Sequence, residues 1–286
     1  MPEGTHAPAE ILAFWFYGAG GDDLNSDAYI GRMMETTWPG LGYDYELKKG
    51  EVENQPGWNI YDACEEFLPD MQAAAKMRMG YTQDDDHSVL SRIILLDQMY
   101  ALLARARGED FPFLTEELLE TCDDMARAEA VRRIEDSDPA DNVPLAHLMF
   151  LVSPLMRSES LQDHAAAKRF VGEHAKEHSG KKSFKSLVES MQEHEKVLRK
   201  FKRFPHRNKS CARKSTPEEE AWLKGEEYRP TWAEEMKVWK PIPRTLSRMD
   251  SSASSYMDPT ITSAAKAVGG GDSDDDKGTP KKGTKK

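Results

Sequence analysis

Residues 183–208 read Ser-Phe-Lys-Ser-Leu-Val-Glu-Ser-Met-Gln-Glu-His-Glu-Lys-Val-Leu-Arg-Lys-Phe-Lys-Arg-Phe-Pro-His-Arg-Asn. Phe184, Leu187, Met191, Leu198 and Phe201 recur at alternating three- and four-residue steps. That spacing puts them on one face of an amphipathic helix. His194 fills the step between Met191 and Leu198, so it lies on the apolar seam. The helix is expected to start at Ser183 and to end near Arg203. The turn that follows packs Arg203, His206, Arg207 and Asn208 around Phe204 and Pro205. Thr216-Pro217-Glu218-Glu219 then reads as a capping box with proline at the first helical position. A knot of donors between two helix ends either binds something or ties helices together.

The rest of the chain follows the same period. A short apolar helix is expected over 9–17, after Pro8. Residues 19–60 lack sustained periodicity and read as an irregular insertion with two short helices. Tyr61–Met79 reads as helical, interrupted near Pro69 and stopped by Gly80. The strongest pattern runs from Asp86, as cap, to Arg107, with Gly108 ending it. Further helices are expected from Thr115 to Glu135, from Pro144 toward Val152 with a break at Pro154, and over 161–178 behind Ser160. Thr231-Trp232-Ala233-Glu234 repeats the capping signal. No stretch alternates as a strand. The expected fold is all-α, built of stacked antiparallel helix pairs with no significant β-sheet. One helical domain is expected over 1–240, and a disordered polar tail rich in Ser, Asp, Gly and Lys over 241–286.

Composition narrows the function classes. The 286 residues carry a net charge of −11, which argues against broad nucleic-acid affinity. The charge is uneven: His194–Lys214 holds nine Lys/Arg against one Glu. Phe201 and Phe204 interleave with that basic run, the pattern of a single-strand binder. Phe201 belongs to the apolar seam, however, so nucleic acid is not the expected partner. Cys64, Cys122 and Cys211 form no paired motif and suit a reducing compartment, so a cytoplasmic protein is expected. The apolar run Ile11–Tyr17 is too short to span a bilayer. His174-Ala175-Lys176-Glu177-His178 matches a zinc-peptidase string, but its neighbours are mostly polar and Gly180 ends the helix; no metal is expected there. Gly269-Gly270-Gly271 reads as linker, with no phosphate-cradling context. No cofactor is expected.

Asp97 is the second anchor of a candidate site. At about 100° per residue, Leu90 and Ile93 flank it on the helical wheel and Tyr100 lies close by. A carboxylate on an apolar face must be paired or neutralised. Asp97, Glu159, His194 and His206 are the candidate catalytic groups, with either histidine as general acid–base oriented by either carboxylate. Gln98, Arg203, Arg207 and Asn208 are the candidate ligand-binding groups, since guanidinium forks suit carboxylate or phosphate. Two alternatives remain. The arginines could instead tie buried carboxylates and helix ends into a structural lock, leaving a non-enzymatic module for a partner peptide. The basic run 196–214 could bind nucleic acid.

Assembled in order, these segments resemble the domain-of-unknown-function 924 family. The resemblance rests on Phe14-Trp15-Phe16, Ile94-Leu95-Leu96-Asp97-Gln98, Met156-Arg157-Ser158-Glu159 and His194. It ends on Arg203-Phe204-Pro205-His206-Arg207-Asn208 and Ser215-Thr216-Pro217-Glu218-Glu219. It implies a helical fold related to tetratricopeptide repeats and supplies no reaction. The chain departs from the family pattern in three places. Met99-Tyr100-Ala101-Leu102 stands where Phe-Pro-Arg-Asn is usual, Arg157 stands for a histidine, and Lys202 stands for a glycine.

Overall fold

The computed structural model of the chain describes residues 6–36, 64–77, 79, 85–107, 116–138, 141–209 and 211–233. The expected tail 241–286, Gly80, Gly108 and most of the insertion 19–60 lie outside them. Every regular element among the described residues is helical, and the fold is all-α. The longer helices are α1 Pro8–Trp15, α2 Asp27–Thr36, α3 Leu68–Ala75, α4 Asp86–Ile93, α5 Tyr100–Arg107 and α6 Glu116–Glu135. They continue as α7 Leu145–Met156, α8 Leu161–Glu173, α9 Ala175–His178, α10 Lys182–Phe201 and α11 Pro217–Leu223. Consecutive helices pack on one another from α6 through α7 and α8, and α8 packs on α10. α1 lies against α4, and α2 returns to α10.

Most boundaries follow the sequence signals. Ser160 Oγ caps α8 by accepting from the Asp163 N–H, and Thr216 with Glu219 closes the expected capping box on α11. Three signals resolve differently. Asp85, not Asp86, caps α4, taking the N–H groups of His87 and Ser88. Pro154 does not stop α7; the helix runs through it to Met156. Pro154 has no N–H to offer the Phe150 carbonyl one turn back, but its fixed φ is helical. Ser183 does not cap α10. Its N–H and that of Lys182 donate to the two carboxylate oxygens of Asp27, at 2.7 and 2.8 Å. A residue 155 positions away thus supplies the cap and ties α2 to α10.

The helix expected over 86–107 is continuous but not uniform. Between α4 and α5, residues Ile94–Met99 form a π-helical turn. The wider turn changes the register on either side of Asp97, and such turns gather at functional sites. Among the described residues, buried side chains form two apolar clusters. The large one runs from Ile11 to Met191 and includes Trp15, Phe150 and Phe170. A small one, with Leu198, Phe204, Trp222 and Ala233, closes the end of α10 against α11.

Helix α10 stops at Lys202, whose backbone is left-handed (φ 63°). A side chain there costs roughly 1 kcal/mol relative to glycine, which takes this conformation freely. Lys202→Gly is therefore expected to stabilise the chain by about 0.5–1 kcal/mol, offset in part by a more mobile unfolded state. Urea unfolding measures it, and a loss of stability would contradict the assigned helix end.

Candidate functional site

The residues singled out in the sequence divide into three groups. The first surrounds Asp97. The π-turn buries this carboxylate completely, and three donors meet it. Arg157, just past the end of α7, donates Nη2 to Oδ1 and also reaches the Asp97 carbonyl oxygen at 3.1 Å. Ser153 donates Oγ–H to Oδ2 at 3.0 Å, and the Gln98 amide donates to the same oxygen. Burial pushes the Asp97 carboxyl up from its ordinary range; Asp123 adds to that push, while Arg157 opposes it. Against its own burial, Asp97 and Asp123 hold Arg157 firmly charged.

Arg157 continues outward. Its Nη2 lies 3.3 Å from Oδ1 of Asp123 on α6. Arg207, in the 3₁₀ turn Pro205–Arg207, brings its Nη2 to 3.3 Å from the other Asp123 oxygen. Arg207 also donates Nη1 to the Arg157 carbonyl at 3.1 Å. Above these groups opens a cleft of about 240 Å³. Its charged lining is Asp97, Asp123, Asp124 and Glu159 with Arg127, Arg157 and Arg207; Pro154, Ser158 and Cys211 complete it. Glu159 is held by Arg213, which grips both carboxylate oxygens at 2.6 and 2.8 Å, and by the Phe204 N–H at 2.8 Å. Against the upward push of burial, those donors keep Glu159 below its usual range.

The second group is a lock. Arg203 turns away from the cleft and grips buried Glu219 with two nitrogens, at 2.6 and 2.7 Å. A third contact joins Arg203 Nη2 to the Lys214 carbonyl at 3.0 Å. Glu219 also accepts from the Thr216 N–H and from the Asn208 amide, so one carboxylate ties three segments. The Arg203 pair, outweighing the upward push of burial, lowers Glu219 to about 2. Arg203 and Asn208 thus hold α11 in place and do not line the cleft.

The third group is aromatic. His194 stacks on Trp232 with ring centroids 3.7 Å apart and 11° between planes. Phe204 meets both rings edge-on, and His206 abuts Trp232 at 5.6 Å. The His194 Nδ1 faces the Ser190 carbonyl oxygen at 2.8 Å. Neither histidine lines the cleft. His178, from the zinc-like string, places Nε2 2.9 Å from the Val143 carbonyl oxygen. Both His174 and His178 are buried, although their neighbours in sequence are mostly polar. No three metal-ligating side chains cluster among the described residues, and none of the helices there is long and apolar enough to cross a membrane.

The sequence reading named Asp97, Glu159 and Arg207, and all three line this cleft. It left out Asp123, Arg127 and Arg213, and it read Arg157 only as a departure from a pattern. The usable signal was Asp97 itself, which demanded a cation that the π-turn brings from the end of α7.

These features define an all-helical protein with a buried carboxylate at the root of an arginine-lined cleft. A model described as "Bacterial protein of unknown function (DUF924)" matches residues 45–227, and the chain belongs to that family. The match takes in all the groups around the cleft and stops short of Phe14-Trp15-Phe16 and Trp232. No curated protein and no solved structure matches the chain.

Two predictions follow from this geometry. Glu219→Ala leaves the Asn208 amide and the Thr216 N–H without their acceptor and frees Arg203. A loss of about 2 kcal/mol is expected in urea unfolding. Unchanged stability would mean that the lock carries no load. The second concerns acid. Burial, opposed by the Ser190 contact, lowers His194 to about 4; burial and then Arg207 lower His206 to about 3. Unfolded histidines protonate near pH 6.5, so the unfolded chain binds more protons below that value. Stability is then lost from about pH 6.5 down to about pH 4 for His194, and further down for His206. His194→Phe, which keeps a ring on Trp232, is expected to remove about 3 kcal/mol of that decline. An identical pH dependence in wild type and variant would refute the assignment.

Proposed function

We propose that the cleft binds a small ligand bearing a carboxylate or phosphate group. One observation carries this reading: the Arg157 and Arg207 guanidiniums converge on a single partly exposed carboxylate, Asp123, at 3.3 Å from each. Contacts of that length are longer than charge-assisted bonds at their best. Asp123 therefore serves as a loosely held internal anion, and a ligand anion can take its place. Asp97 holds Arg157 from behind, and Gln98 and Ser153 steady Asp97, so the donor pair is set before a ligand arrives. Arg207 acts as the ligand-binding residue expected from the sequence. Gln98, Arg203 and Asn208 support the site from outside it.

His194 and His206 do not line the cleft, so they are not placed to act as acid or base on a ligand held there. Their place in the small aromatic cluster favours binding over catalysis. Phe201 and Phe204 pack against Trp222 and Trp232, so neither ring of the basic run is a free platform for a nucleic-acid base. The alternative of a module for partner peptides draws support from the paired Arg203–Glu219 lock, which behaves as scaffold. Both readings suit a cytoplasmic protein with free thiols.

Thermal shift of the full chain against inorganic phosphate, citrate and short carboxylic acids tests the reading. Stabilisation by at least one anion is expected, growing with its concentration, by about 2.7 kcal/mol at a hundred times Kd. Arg207→Ala is expected to weaken that anion tenfold or more. No stabilisation by any of them, or an unchanged shift in Arg207→Ala, would overturn the ligand cleft.

A further inference from the structure

We propose that the ligand is a short zwitterion, an α-amino acid or a compound of the same charge pattern; this deepens the reading above and rests on it. The inference comes from following each charge at the cleft to its partner. Asp97 has Arg157, Glu159 has two nitrogens of Arg213, and Arg127 has Asp163 at 3.3 Å. The remaining acids, Asp123 and Asp124, are neighbours on α6. Asp124 is 77% exposed, and its ion pair with Arg127 is long, at 3.7 Å, one turn along the same helix. Exposed pairs of this kind hold their carboxylates weakly. The cleft therefore offers two loosely engaged acids immediately beside two convergent guanidiniums.

An anion alone fits this arrangement less well than a zwitterion. It would take the place of Asp123 between Arg157 and Arg207, and leave two adjacent carboxylates facing a third. Like charges so close repel strongly in a partly enclosed site. A ligand with an ammonium next to its carboxylate removes the conflict. Its carboxylate takes the guanidiniums, and its ammonium takes Asp123 and Asp124, so every charge gains a partner. The two subsites must be close together, because Asp123 lies 3.3 Å from both guanidiniums before any ligand enters. That closeness selects a dipole in which one carbon separates the two groups. The volume, about 240 Å³, sits below the usual range for drug-sized ligands and suits one such molecule.

Isothermal titration of the full chain tests this with the twenty L-amino acids, each paired with its deaminated carboxylic acid. At least one amino acid is expected to bind tenfold or more tighter than its deaminated partner. Asp124→Asn, a surface change checked by circular dichroism, is expected to weaken that amino acid at least threefold. It should leave the deaminated acid as tight or tighter. Deaminated acids binding as well as amino acids would overturn the zwitterion and leave the anion cleft standing. A loss in Asp124→Asn that is absent, or shared equally by both compounds, would also overturn it. Binding by neither series, nor by phosphate, would remove the cleft reading as well.

Discussion

A carboxylate buried in an apolar helix is expensive unless it is met by donors, and meeting Asp97 organises the cleft side of the molecule. The π-turn Ile94–Met99 carries Asp97 and Gln98 together into the interior. Ser153 answers from α7, and Arg157 answers from the end of the same helix. For Arg157 to arrive, α7 must run through Pro154 rather than stop there. One side chain therefore joins the middle of one helix to the end of another. The guanidinium that pairs with Asp97 also faces outward, so the demand of a buried charge produces a displayed one.

The display has a second layer. Arg207 reaches the carbonyl of Arg157 and the far oxygen of Asp123, which brings the turn after α10 onto the cleft. That turn is positioned from the other side by Arg203 and Asn208, both committed to Glu219. Past the left-handed residue Lys202, Arg203 goes to Glu219 and Arg207, in the following 3₁₀ turn, goes to Asp123. Four positions apart in sequence, the two arginines do different work. One closes a capping box into a lock, and the other completes a donor pair.

Much of this was legible in the residues alone. The helical period gave α10 its buried seam, and the wheel of residues 86–107 marked Asp97 as a carboxylate that needs partners. The Thr216–Glu219 box appeared as expected. What the sequence hid was of two kinds. Asp123 and Arg127 lie in a stretch whose polar residues look like any solvated surface, and only tertiary packing separates those that line the cleft. The grouping of 203–208 into one site relied on nearness in the chain, which a change of backbone hand between Phe201 and Phe204 undoes. The cap of α10 was unreadable for the same reason: Asp27 comes from another helix altogether.

The departures from the family pattern now have a physical meaning. Lys202 occupies a backbone conformation that glycine takes freely, so its side chain is a cost borne at the helix end. Arg157 is different. Where the resemblance leads one to expect histidine, this chain places a permanently charged group against a fully buried carboxylate. A histidine there could lose its proton and leave Asp97 to neutralise itself. An arginine cannot, so the guanidinium at the root of the cleft keeps its charge even though burial pushes the Asp97 carboxyl up. A fixed cation serves poorly as a proton relay and well as a rigid donor. That is the strongest structural reason to read this cleft as a place where a charged ligand is held.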